Sequence, residues 1–151
     1  MKYAIALLLA IFCTTTFSRE SFVLEFIDNS SVVYKPDDWV QISEEENFYF
    51  SLNKTPELLQ DKVYRVHSMV EFKVEEEYTQ LKAPVKRIFS YGIMDCSNAI
   101  FHLMGDFYVD KNNEIVFSSQ SQIGSNQIEL LTPNTSRNLA YKKVCTYNSE
   151  A

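Results

Sequence analysis

The sequence predicts an α+β domain: an antiparallel β-sheet meander of about five to seven strands, a C-terminal helix packed on it, and one disulfide. Three observations predict it. Apolar and polar residues alternate through most of the chain, in runs divided by turn-forming residues. Only the stretch after Pro133 changes to helical spacing. Phe and Tyr are plentiful (11 and 9) while Gly and Pro are scarce (3 and 4), which suits packed strands and not a disordered or low-complexity chain.

The N-terminus reads as an export signal. Lys2 precedes the apolar run Ala4–Cys13, a signal-peptide layout too short to span a bilayer comfortably. Thr16 and Ser18 stand at the two positions a signal peptidase reads, so residues 1–18 are expected to be removed after Ser18. A lipid anchor at Cys13 is not expected, because the bulky Phe12 stands where lipoprotein processing needs a small residue. The destination is then the periplasm, the outer-membrane surface or the medium. Removal leaves roughly 133 of the 151 residues, enough for one domain with a buried core. No other segment is long and apolar enough to be a transmembrane helix. The formal charge is −6, and loss of Lys2 makes it one unit more negative. Such a chain is a poor binder of nucleic acid, which requires phosphate neutralisation.

Residues 19–38 form a leader segment. Ser21 to Ile27 has the parity of a first strand or a loosely docked arm, ended by Asp28-Asn29-Ser30-Ser31. Trp39–Ile42 and Phe48–Leu52 form a hairpin around Glu44–Asn47. Residues 53–61, with Pro56, read as a loop or a single helical turn. The strand from Val63 to Glu75 places Tyr64, Val66, Ser68, Val70, Phe72 and Val74 on one face. Arg65, His67, Met69, Glu71 and Lys73 fall on the other, which implies a sheet covered on one side only. A polar connection from Glu75 to Pro84 precedes the strand Arg87–Cys96. Ala99 to Val109 alternates with Ala99, Phe101, Leu103, Gly105, Phe107 and Val109 together. Asp110–Asn113 turns the chain into Glu114–Ser119. A short strand is expected at Gln127–Leu131. The helix starts with Asn134 or Thr135 as N-cap, presents Leu139, Ala140, Val144 and Cys145 on one face, and carries Lys142 and Lys143 in its last turn. Residues 148–151 are a tail.

With Cys13 in the export segment, the mature chain keeps Cys96 and Cys145. An oxidising destination favours a bridge between them over two separate buried thiols. It would close a loop of roughly 50 residues and contribute on the order of 4 kcal/mol. A C-x-x-C redox motif is absent. His67 reads as exposed. His102 and Asp106 share a parity, so a small hydrolase using that pair is the one catalytic hypothesis the residues offer. A solvated polar face is the expected reading, and no enzymatic activity or cofactor is expected. Two histidines on different strands make no zinc set, and Glu44–Glu46 and Glu75–Glu77 lack the ligand pattern of a calcium loop. Sequons stand at Asn29, Asn53 and Asn134.

Four short motifs occur in order: Ile93-Met94-Asp95-Cys96-Ser97-Asn98, Asp106-Phe107-Tyr108, Leu131-Thr132-Pro133-Asn134-Thr135 and Val144-Cys145. Together they resemble the surface-adhesin protein E-like domain family of Gram-negative bacteria, over residues 39–147. The resemblance implies an antiparallel sheet with a packed helix and Cys96 paired with Cys145. It also implies an outer-membrane or secreted, non-catalytic module that forms a homodimer and binds extracellular-matrix or serum proteins such as vitronectin, laminin and plasminogen. The basic stretch that carries binding in the family matches Lys82, Lys86 and Arg87 here. The alternative is a periplasmic structural or accessory protein with no host ligand.

Overall fold

The computed structural model describes residues 26–27, 31–120, 128–130 and 135–147. The expected signal peptide, Cys13 and the tail lie outside the described residues. Of the leader, β1 (Phe26–Ile27) and β2 (Ser31–Val32) pair as a small antiparallel ladder. A 3-10 turn at Pro36–Asp38 then delivers the chain to β3 (Trp39–Glu44).

Seven more strands follow: β4 (Phe48–Asn53), β5 (Glu57–Gln60), β6 (Val63–Glu76), β7 (Val85–Asp95), β8 (Ile100–Val109), β9 (Ile115–Gln120) and β10 (Ile128–Leu130). With β3 they form one antiparallel sheet. β4 and β5 lie in line along β6, with Leu52 opposite Ser68 and Glu57 opposite Arg65. β9 and β10 lie in line along β8, with Gln120 opposite Gly105 and Ile128 opposite His102. Chain order and spatial order therefore coincide, as in the expected meander. β5 replaces the loop expected at residues 53–61. Below the end of β4, the edge of β6 still offers unpaired backbone groups, and β5 satisfies them. The Arg65–Glu57 ion pair at 2.8 Å fixes its register.

The helix α1 (Ser136–Tyr147) packs on one face of this sheet. Thr135 Oγ1 accepts the Asn138 N–H at 3.2 Å, the N-cap bond the sequence predicts. Ala140 and Val144 close over Phe50, Leu52, Tyr64, Val66, Met94 and Phe101. Leu139 does not join them: it is 41% exposed. Tyr141 takes that place, its hydroxyl donating to the Cys96 carbonyl at 3.0 Å. The helix continues to Tyr147, so Lys142 and Lys143 stand before its last turn, not in it.

The expectation of a sheet covered on one side fails. The opposite face holds a second core of Trp39, Met69, Phe89 and Val109, with Tyr34, Phe107 and Ile115 packed against it. Tyr34 and Trp39 lie over Phe89, with ring centroids 6.1 and 5.6 Å away. The end of the leader thus folds back across the sheet. Met69 is buried in a run whose same-parity residues are Arg65, His67, Glu71 and Lys73, and their polarity hid this face in the sequence. Conversely Val74, on the apolar parity, is 77% exposed because β6 runs beyond its partners there.

A bulge explains the second departure. Tyr91 pairs with Gly105 but Gly92 pairs with Leu103, leaving Met104 as the extra residue. The parity of β8 therefore reverses at Met104. Phe101 and Leu103 belong to the helix-side core, whereas Phe107 and Val109 belong to the second core. Gly92 and Gly105 flank the bulge. A Cβ at Gly105 would lie 2.6 Å from Cε1 of Tyr91, and one at Gly92 would lie 2.5 Å from Cζ of Phe101. Both positions are closed to larger side chains, because the His102 carbonyl and the Phe101 ring crowd Gly92 while the Tyr91 ring and the Ser119 carbonyl crowd Gly105.

Candidate binding surfaces

Asp95, the last residue of β7, organises the connection to β8. Its Oδ1 accepts N–H bonds from Ser97 (2.8 Å) and Asn98 (3.2 Å), and its Oδ2 accepts from Asn98 Nδ2 at 2.7 Å. These bonds, that of the Asn98 side chain foremost, hold the Asp95 carboxyl below its usual range. Cys96 follows, its N–H bonded to the Lys62 carbonyl at 2.9 Å. It forms a disulfide with Cys145 of α1, with a Cα–Cα distance of 5.6 Å. The Asp-Cys-Ser-Asn motif is thus a turn that presents a cysteine to the helix.

The three basic residues singled out by the sequence occupy different environments. Lys82 is exposed in the connection between β6 and β7. Arg87 is not: its side chain is 14% exposed. Its Nη2 donates to Glu71 Oε1 and its Nη1 to Asn113 Oδ1, both at 2.9 Å. The guanidinium also lies 4.4 Å from the centre of the Tyr34 ring. Burial, then the Glu71 carboxylate, pushes the Tyr34 hydroxyl above its ordinary pKa. Lys86 donates to the Phe72 carbonyl and stands 3.8 Å from Glu71. Arg87 and Lys86 are therefore engaged inside the fold. Glu71, Asn113 and Tyr34 are the partners that sequence reasoning missed. Asn113 had a signal, since it lies in the turn held by Asp110 and carries φ 65°.

His67 is buried on the second face at 7% exposure, not exposed as expected. It stacks on Tyr91 (6.4 Å, 25°), which stacks on Phe107 (6.1 Å, 21°). Burial, aided by Arg65, lowers its pKa to about 4. A neutral buried imidazole stabilises the fold fully above its unfolded pKa near 6.5, and that stability is lost as pH falls through 4. The loss should reach about 3 kcal/mol. Urea unfolding at pH 7 and pH 4 checks it: His67→Gln should flatten the drop seen in the parent, and an equal drop in both would mean His67 does not carry it.

The bulge separates His102 from Asp106, the pair the sequence offers for catalysis. His102 lies opposite Ile93 and Asp106 opposite Ser90, on opposite faces of the sheet. The hydrolase reading loses its geometry. Among the described residues, no three His, Cys, Asp or Glu side chains cluster as metal ligands. The sequon at Asn53 is a turn: Asn53 is 6% exposed and its Oδ1 accepts from both the N–H and the hydroxyl of Thr55 at 2.9 Å. Asn29 and Asn134 lie outside the described residues. A groove of about 280 Å³ opens between the ends of β3 and β4 and α1, walled by Val40, Leu52, Pro56 and Val144 beside Lys54 and Lys143. Among the described residues, no helix is long and apolar enough to cross a membrane.

No family model matches the sequence, and no curated protein matches it. Solved structures do match. One of Haemophilus influenzae protein E superposes with a TM-score of 0.55 at 14% identity, covering 82% of this chain and 98% of that one. The chain has the protein E fold. A second crystal form gives 0.56 at 13% identity, over 77% of this chain and 93% of that one. Protein E from non-typeable Haemophilus influenzae gives 0.56 at 15% identity, over 79% and 82%. The fold expected from the four short motifs is therefore observed.

Proposed function

We propose that this protein is a non-catalytic binding module of the bacterial cell envelope, exported by residues 1–18 and working through its 39–147 domain. The observation that carries this reading is the protein E fold, reached independently from the motifs and from the superposition. The partner class is an extracellular-matrix or serum protein, and a homodimer is the assembly the resemblance implies. With Arg87 and Lys86 engaged internally, contact at the basic stretch falls to Lys82, whose charge would act mainly on the association rate.

The test is surface binding of the purified mature chain to immobilised vitronectin, laminin and plasminogen. Saturable binding to at least one is expected, with slower association in Lys82→Glu. Absence of binding to all three would overturn the reading. A second reading, a periplasmic accessory protein with no host ligand, draws support from the internal engagement of Arg87 and Lys86, which thins the charge available to a partner.

A further inference from the structure

On the face that carries α1, four neighbouring strands place small polar residues at one level. Ser68 lies opposite Ser90, Ser90 opposite Asp106, and Asp106 opposite Ser119. Ser68 lies with Val66, Met94, Phe101 and Ala140 of the helix-side core. Phe89 and Phe107, the chain neighbours of Ser90 and Asp106, belong to the opposite core, which fixes the row's face. All four residues are half-buried. Among the described residues, none of their side chains makes a hydrogen bond within the protein.

Bulkier groups flank this low row. On the helix side stands Phe101, with the Arg137 guanidinium 5.7 Å from its ring centre. Asp106 is near enough to support the Arg137 charge, which burial otherwise disfavours. On the other side Tyr108 meets Tyr78 at 6.0 Å and Phe117 at 5.4 Å, both edge to face. Phe117 and Tyr78 are 44% and 39% exposed.

We propose that this furrow binds a saccharide chain. A sugar ring offers an apolar C–H face to an aromatic wall and a rim of hydroxyls that both donate and accept. The row answers that rim: serine hydroxyls do both, Asp106 accepts, and Arg137 donates. A phosphate or an acidic peptide would meet the Asp106 carboxylate, and a purely apolar ligand would leave the row unpaired. Rungs set by the strand spacing are about 4.8 Å apart, comparable to one pyranose unit, so the row suits a short oligosaccharide. None of these residues belongs to the basic stretch, so this inference stands apart from protein capture.

Titration of the ¹⁵N-labelled mature chain with cellotriose, triacetylchitotriose and 3′-sialyllactose tests it. At least one sugar should give saturable shifts at the amides of Ser90, Asp106, Tyr108 and Ser119. Asp106→Ala, at a half-exposed position and with its fold checked by the same spectra, should weaken binding ~10-fold or more; Lys54→Ala, outside the furrow, should not. No saturable shift in the row with any of the three, or unchanged affinity in Asp106→Ala, would overturn it.

Discussion

Replacing Cys96 and Cys145 together with Ser should lower unfolding stability by about 4 kcal/mol. The bridge spans 49 residues of sequence and joins the β7–β8 turn to the end of α1. Without it the unfolded chain regains the freedom of that loop. The helix would then be held by the packing of Ala140, Val144 and Tyr141, by the Ser136 bonds to Ser43 and Glu45, and by Arg137 over Phe101. Since a domain of this size has only about 5–15 kcal/mol in hand, the loss is a large share. Urea unfolding of the double variant against the parent measures it. Far-ultraviolet dichroism at low urea should also show early loss of helical signal. A decrease under about 1 kcal/mol would mean that packing alone docks the helix.

Phe89→Ala should cost about 3–5 kcal/mol. Phe89 is wholly buried between Tyr34, Trp39, Met69 and Val109, on the face the sequence assigns to water. Few neighbours there can collapse into the space, because strands fix Trp39, Met69 and Val109. Val74→Ala is the matched control: at 77% exposure it should change stability by less than about 0.5 kcal/mol. The simple alternation of β6 predicts the reverse order for these two faces. A near-neutral Phe89→Ala would show that the second core does not hold the sheet together.

Phe89 and Val74 also mark how far the sequence alone specifies the fold. Features specified by adjacent residues were legible: the 39–53 hairpin, the length of β6, the turn after Val109 and the Thr135 cap. So was the Cys96–Cys145 pair. Face assignment was not, because it depends on pairing. The Met104 bulge inverts half of β8, and its flanking Gly92 and Gly105 are the one trace it leaves in the sequence. Tyr34 reaches the second face only because the leader folds back. The basic stretch shows the same limit. Its charges are visible in the chain, while Glu71 and Asn113 become partners of Arg87 only through the register of β6 and the turn after β8.

The reading of this chain as an envelope binding module rests most directly on where the domain is displayed. Protease shaving of intact cells, with mass spectrometry for peptides from residues 39–147, measures that. Release of these peptides from unbroken cells is the predicted result. Their appearance only after the outer membrane is opened would contradict it and leave the periplasmic accessory role in its place.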